Sequence, residues 1–341
     1  MKLSQAGKDE KEIAIYPRAK RSDAEFGKDI NEFERIKGRI THHLCIPFIK
    51  KMEFIDYCSF AKMPGIWLGS CKRNGTTIEK EVKILMTKIK YNHKEHVVKN
   101  CLRQLLRREY EKFFGKCSYS MNYYKDLLRI VIPYEDDYLF ILNVKPQIIA
   151  DHFKHFEQDY YRIIAEKMEE LQKMCVEKKH KIKEEKITND KILDDFFYGE
   201  PKLGELLAKI GPKMRYVSIG ITDGTPLARF VNTDDDLLLD KFDEFEYFIE
   251  TAAGLKMKDK FESLFGQTKF NLTVYEDVAV MSMPIGRNFF TIMTLHNKIN
   301  NKKASDSEKT FDKEFYFPKP MEQIFDFIED ELDMDYIPTD L

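Results

Sequence analysis

Two stretches of this chain share one rhythm of apolar and polar positions. Phe114–Val144, "FGKCSYSMNYYKDLLRIVIPYEDDYLFILNV", aligns without a gap on Phe265–Leu295, "FGQTKFNLTVYEDVAVMSMPIGRNFFTIMTL", at an offset of 151 residues. Identical residues fall at Phe114/Phe265, Gly115/Gly266, Tyr124/Tyr275, Asp126/Asp277, Pro133/Pro284 and Ile141/Ile292. Apolar character also matches at Tyr119/Phe270, Met121/Leu272, Leu127/Val278, Ile132/Met283, Tyr138/Phe289 and Leu142/Met293. Self-similarity at a fixed spacing marks a duplicated unit. Within each copy the pattern predicts three strands, at 117–123, 126–133 and 137–144, then at 268–274, 277–283 and 288–295.

Upstream, "YCSFAKMPGIWLGS" (57–70) lies over "YVSIGITDGTPLAR" (216–229), at an offset of 159. Each reads as a β-hairpin, 54–61 with 66–72 and 214–221 with 226–231, turning at Pro64-Gly65 and Asp223-Gly224, since glycine accepts the positive φ of a tight turn. A helical period follows each hairpin. Ile78, Val82, Leu85, Ile89, Cys101 and Leu105 are spaced for one helix face, as are Leu238, Phe242, Phe245, Ile249 and Ala252. Thr233 followed by three aspartates suits a helix start. The shared Phe-Gly ends both helices, the glycine acting as a left-handed cap. Lead helices are expected at about 28–50 and 190–210.

The predicted fold is therefore α+β: two duplicated five-stranded antiparallel sheet units with helices, joined by a long helical linker. The expected organisation is an N-terminal extension (1–27), a first unit (28–163), a charged helical linker (164–188), a second unit (189–303) and an acidic C-terminal tail (304–341). That tail contains a short helix with Ile324, Phe325 and Ile328 on one side. The segment "NNKKASDSEKT" before it reads as a flexible hinge.

Charge adds an asymmetry. The net charge of −2 hides 38 Lys+Arg against 28 Asp+Glu in residues 1–188, and 18 against 30 in 189–341. The central helical region of the first unit (76–114) is basic, with Lys83, Lys90, Arg103 and Arg107 among ten cations; that of the second (234–265) is acidic, with Asp236, Asp240, Asp243, Glu246 and Glu250 among ten carboxylates. Opposite signs favour pairing of the two units within the chain over like-with-like association. Exposed ion pairs contribute only about 0–1 kcal/mol each, so apolar burial must supply the affinity.

The order of elements, and above all "KMKDKFESLFGQTKFNLTVYEDVAVMSMPIGRNFFTIMTL", resembles the roadblock/dynein-light-chain domain of the wider profilin-like group, nearest to an archaeal branch of it. The likeness runs over 205–297 and more loosely over 45–150, and it rests on patterning together with the Gly115/Gly266 and Pro133/Pro284 positions. It implies a non-enzymatic module that pairs through its central helix and the neighbouring strand, serving as a scaffold for protein–protein interaction with a small GTPase or a regulatory complex.

Chemistry-bearing constellations are sparse. His93/His96 and His152/His155 are each three apart, with Cys101 the nearest further ligand to the first pair, short of the three or four ligands that zinc requires. His42-His43 point to alternate sides. No glycine-rich phosphate loop occurs, and Ser59-Phe-Ala-Lys62 matches SxxK only formally, because it lies on a strand. Glu135-Asp136-Asp137 suits a hairpin tip. No catalytic residue, cofactor or metal is expected. Lys80 to Lys112, with Tyr91 and Tyr110, leaves nucleic-acid binding open as an alternative, and the aromatic content (26 Phe, 17 Tyr) leaves open a small-molecule sensor with a ligand between sheet and helix. With no apolar h-region at the N-terminus and no run of about 18 apolar residues, a cytoplasmic protein that spans no membrane is expected, its six cysteines reduced.

Overall fold

The computed structural model describes residues 13–15, 38–73, 93–156, 265–276, 278–285, 289–296 and 318–332, most of 216–231, parts of 162–173, and the isolated positions 205, 251, 254 and 337. It is an α+β structure built on one large antiparallel sheet. The strands are β1 (Ile13–Ile15), β2 (Ile55–Lys62), β3 (Ile66–Arg73), β4 (Cys117–Tyr124), β5 (Leu128–Tyr134), β6 (Tyr138–Val144), β7 (Tyr216–Ile221), β8 (Pro226–Val231), β9 (Thr268–Tyr275), β10 (Val278–Ile285) and β11 (Phe289–His296). Among the described residues five helices have established bounds, α1 (Ile46–Lys51), α2 (His93–Glu109), α3 (Glu111–Phe114), α4 (Gln147–Phe156) and α5 (Lys319–Asp330), and residues 38–40 and 165–170 are helical as well. A π-helical turn, Thr41–Cys45, leads into α1.

The strand order is β1-β3-β2-β6-β5-β4-β9-β10-β11-β7-β8. With β1 set aside, the order of the first five is repeated in reverse by the second five. The two sets meet where β4 pairs antiparallel with β9, and Met121 lies opposite Leu272 there, two residues 151 apart. Either side of that pair, Ser120 faces Thr273 and Asn122 faces Asn271. Ten of the strands lie within two residues of their sequence-based positions. The eleventh, β1, adds an edge to β3 from the segment expected to be a plain extension.

Period-two alternation decides what each face of the sheet buries. One face presents Tyr119, Met121, Ile130, Phe140, Leu142, Phe270, Leu272, Val274 and Met281 to α1, α4 and α5, forming one apolar core that crosses the β4–β9 seam. Phe48 of α1 packs edge-on against Phe140 at 5.3 Å and against Phe327 of α5 at 5.0 Å. Each such aromatic side chain, fully buried, contributes roughly 1.5–3 kcal/mol. The other face lies under α2 and α3.

Two shared sequence positions acquire physical reasons. Pro133 and Pro284 lack an N–H, and each lies two residues past the last residue its strand pairs with the inner neighbour: Val131 opposite Ser120, and Ser282 opposite Asn271. The missing donor therefore interrupts no ladder on that side. Gly115 and Gly266 have φ of 76° and 73°, and each approaches the opposite half of the sheet. A methyl group built on Gly115 falls 2.7 Å from Glu276 Cβ, and one on Gly266 falls 2.7 Å from Lys125 Cβ. Lys125 and Glu276 are again 151 apart.

Most of the predicted linker (164–188), of the second lead helix (190–210) and of both central helical regions outside 93–114 and 265 lies outside the described residues, as does most of the hinge and tail outside α5.

Gly115→Ala should lose about 1–3 kcal/mol of unfolding free energy in urea titration, combining left-handed strain with the clash. Gly38→Ala, with nothing within 4 Å of the added methyl, should be neutral or gain up to about 1 kcal/mol.

Candidate interaction face on the second side of the sheet

α2 lies on the second face because Val97 and Cys101 pack with Ala61, Met63, Val131, Leu139 and Ile141, while Trp67 closes one side. Asn100 and Gln104 are also turned inward and buried. The helix therefore buries positions 97, 100, 101 and 104. Leu105, expected to continue the buried stripe after Cys101, instead lies at the border, 36% exposed. Its neighbours Leu102 and Leu106 are 50% and 44% exposed. Of the four exposed large apolar side chains among the described residues, three are these leucines. They form one outward strip, and Arg103, Arg107 and Arg108 are half-buried beside it. This strip is the candidate interaction surface on the second face.

Of the residues expected to pair the two units by charge, Lys83, Lys90, Asp236, Asp240, Asp243, Glu246 and Glu250 lie outside the described residues. Arg103 and Arg107 are described. Arg107 Nη1 donates to Gln104 Oε1 at 3.4 Å, and its backbone carbonyl accepts a hydrogen bond from the Tyr275 hydroxyl of β9 at 3.4 Å. Among the described residues, the contact that Arg107 makes across the seam is through its backbone.

The end of α2 is what crosses the seam. Tyr110 and Phe114 pack with Tyr216, Tyr275, Val278, Val280, Phe290 and Ile292, all in the other half of the sheet. Phe114 meets Tyr275 at 5.4 Å between ring centroids, and Phe265 meets Tyr124 at 5.5 Å. The members of these two pairs correspond at the offset of 151. Backbone bonds repeat the exchange: Lys125 N–H donates to Gln267 O at 3.0 Å, and Glu276 N–H to Lys116 O at 3.0 Å. Gly115 makes the turn that allows this, its N–H capping α3 on Glu111 O at 2.9 Å while Glu111 Oε1 accepts from Cys117 N–H at 3.0 Å.

Beneath these helices the second face carries a row of polar side chains in direct register: Asn143, Arg129, Asn122, Asn271 and Ser282 on β6, β5, β4, β9 and β10. Arg129 Nε donates to Asn143 Oδ1 at 2.9 Å and Asn271 Nδ2 to Ser282 Oγ at 3.1 Å. The Arg129 guanidinium also lies 5.5 Å from the Phe265 ring, a cation–π contact across the seam. Sequence reasoning missed this row. Its signal was present in β5, β6 and β10, where Arg129, Asn143 and Ser282 each interrupt an otherwise apolar strand.

The other sequence candidates have structural positions. Ser59 Oγ donates to Gly69 O at 3.2 Å, so it is engaged in the β2–β3 hairpin, and Lys62 Nζ lies 5.8 Å from the Tyr138 ring centroid. Glu135 occupies the β5–β6 turn with φ of 48°, and Met63 N–H donates to Asp137 O at 2.7 Å. His152 packs edge-on against Phe153. Among the described residues no group of three or more metal-ligating side chains comes together, and no helix is long and apolar enough to cross a membrane. Cys45, Cys58, Cys71, Cys101 and Cys117 are free and buried. Burial pushes the Cys101 thiol up to about 12 and that of Cys117 up to about 11, and raises Cys58 and Cys71 well above the ordinary thiol range.

No protein-family model matches the chain, and no curated protein matches it in sequence. Solved structures do. The gliding protein MglB from Thermus thermophilus is 13% identical with a TM-score of 0.26, over 29% of this chain and 76% of its own. An MglB with tetrameric arrangement is 14% identical with a TM-score of 0.26, over 28% and 74%. Myxococcus xanthus MglB is 11% identical with a TM-score of 0.22, over 25% and 67%. Each spans less than a third of this chain.

Two outcomes test the account of α2. Replacing Leu102 and Leu106 with Gln should change the unfolding free energy by no more than about 0.5 kcal/mol, as for other surface sites, whereas Leu139→Ala beneath the helix should cost about 2–5 kcal/mol. The thiols give a pH dependence. The native pKa values of Cys101 and Cys117 lie above the roughly 8.5 of an unfolded cysteine, so their contribution is complete below about pH 8.5 and is lost as pH rises toward 11–12. Unfolding free energy should therefore decline above about pH 8.5, less steeply in Cys101→Ala, and iodoacetamide at about pH 8 should label these five cysteines only in denaturant.

Proposed function

We propose that this protein is a non-catalytic interaction platform: two roadblock-like units in one polypeptide, paired as an intramolecular pseudo-dimer, with α2 as its docking face. One observation carries the reading. At the β4–β9 seam, contacts recur reciprocally between residues 151 apart: Tyr124–Phe265 against Tyr275–Phe114, and Lys125–Gln267 against Glu276–Lys116. With Met121 opposite Leu272, that register is the one a local two-fold axis through this pair produces. The mirrored strand order and the shared prolines and glycines support the same view.

A platform of this kind has no free inner edge, so its working surface is the helical layer on the second face. The leucine strip at 102, 105 and 106, beside Arg103, Arg107 and Arg108, is the best candidate for partner contact. The roadblock resemblance makes a small GTPase the leading partner. Charge pairing between the basic α2 region and the acidic residues 234–250 belongs to the same proposal, as the element that favours internal over external pairing.

Light scattering should give the mass of a single chain at micromolar concentration, because the seam is filled internally. Immobilised protein, offered source-cell lysate loaded with a non-hydrolysable GTP analogue or with GDP, should retain a small GTPase in one nucleotide state. Leu102→Glu/Leu106→Glu should reduce that retention at least tenfold while the fold survives. Retention of nucleic acid in a salt-sensitive manner, with no nucleotide-dependent protein, would favour the alternative reading instead.

A further inference from the structure

α4 and α5 occupy corresponding places on the first face. Phe153 of α4 meets Phe270 of β9 at 4.8 Å, and Phe325 of α5 meets Tyr119 of β4 at 6.1 Å; Tyr119 and Phe270 are 151 apart. Each helix therefore reaches over the seam to the strand of the opposite half. Their connections differ. Only Lys145 and Pro146 separate β6 from α4, and Lys145 N–H is held by Phe54 O at 3.0 Å. Residues 297–318, rich in Asn, Lys and Ser, separate β11 from α5.

α5 is held by its apolar side. Met321 and Ile324 are fully buried, Phe327, Ile328 and Leu332 nearly so, and Phe327 lies edge-on to Phe48. The outer side is acidic: Glu322, Asp326, Glu329 and Asp330 are exposed, and Glu331 pairs with Lys51 of α1 at 2.8 Å. The groove that takes it, between α1 and β4, belongs to the half of the chain carrying the surplus of lysine and arginine. α5 pairs with no strand, so its departure breaks no ladder.

We propose that this groove is a binding site for an amphipathic helix with an acidic outer face, and that α5 is its releasable resident. A partner helix with apolar side chains at the spacing of Met321, Ile324 and Phe327/Ile328 takes the place of α5 and leaves it tethered. Such openings lie below global unfolding in free energy, and a tether of this length returns the helix at an effective concentration on the order of millimolar, so the competing helix must be tight or locally concentrated. The site is on the opposite face from α2 and stands independently of the platform reading.

The test uses the full chain with a protease site inserted between Ala304 and Glu308, folded and then cut. A fluorescent peptide of residues 315–335 is added in excess, and the complex is followed by native mass spectrometry and polarisation. The labelled peptide should replace the resident fragment, and the same peptide carrying Phe327→Glu should compete at least tenfold less well. Failure of the fragment to exchange within a day of complete cutting would overturn the proposal, making α5 a fixed part of the core. Equal uptake of the two peptides would overturn it as well, by removing the apolar recognition on which it rests.

Discussion

The pairing of β4 with β9 is the constraint on which the rest of the structure depends. Each five-strand set ends at that strand, and unpaired it would present a row of N–H and C=O groups to solvent, a template for association with other chains. Joining the two inner edges to each other removes both at once and leaves only β1 and β8 as edges among the described strands. The same join makes one apolar core of the first face, since Tyr119 and Met121 on one side and Phe270 and Leu272 on the other belong to a single buried cluster.

Register at the seam has to be held, because a slip of one residue would turn every side chain to the wrong face. The first face resists slippage through apolar burial. The second adds the row Asn143, Arg129, Asn122, Asn271, Ser282, whose hydrogen bonds from Arg129 to Asn143 and from Asn271 to Ser282 lie within one half each and which meets at the seam as Asn122 opposite Asn271. Asn122 is 1% exposed and neither of its amide atoms has a hydrogen-bond partner. Leaving such a group buried costs about 1–3 kcal/mol, so the row does little for net stability. Its value lies in specificity: a one-residue slip would turn Asn122 or Asn271 toward the apolar first face. Gly115 and Gly266 act in the same sense, since their backbones approach Glu276 and Lys125 too closely for any side chain.

Much of the sheet is legible in the sequence. Strands buried on both faces, such as Tyr138–Val144, and the turn signals between them leave a local imprint strong enough to place ten strands within two residues. The Phe-Gly pair announces both helix ends. What escapes is non-local. Nothing in "CSYSMNYY" says which strand will lie beside it, so the seam emerges only from the structure. Leu105 falls on the predicted stripe because a 3.6-residue period places it about 40° from Cys101, within the width of an apolar face; the sheet surface, turning Asn100 and Gln104 inward, decides otherwise. α4 follows β6 after only two residues, and the sequence-based reading, which ends that strand at 144, places no helix at 147–156. Phe325, expected on the buried side of the tail helix, is half-buried against Tyr119, while Phe327 takes the deeper place beside Phe48.

Reaching over the seam has a consequence for how the halves depend on each other. Phe153 and Phe325 each complete the core of the opposite half, and Phe114 and Phe265 do the same on the second face. A half separated from its partner would expose β4 or β9, lose an aromatic lid from each face, and leave its own closing helix with no strand to cover. Folding of either half alone is therefore opposed on three counts, whereas within one chain the partner is always present and loop closure adds only a logarithmic entropy cost with linker length. Under the pseudo-dimer proposal, covalent joining also frees the two halves to differ. A symmetric dimer must carry the same charge on both central helices, but here the first can be basic and the second acidic. Under that proposal the two halves of one face can offer unlike surfaces to unlike partners.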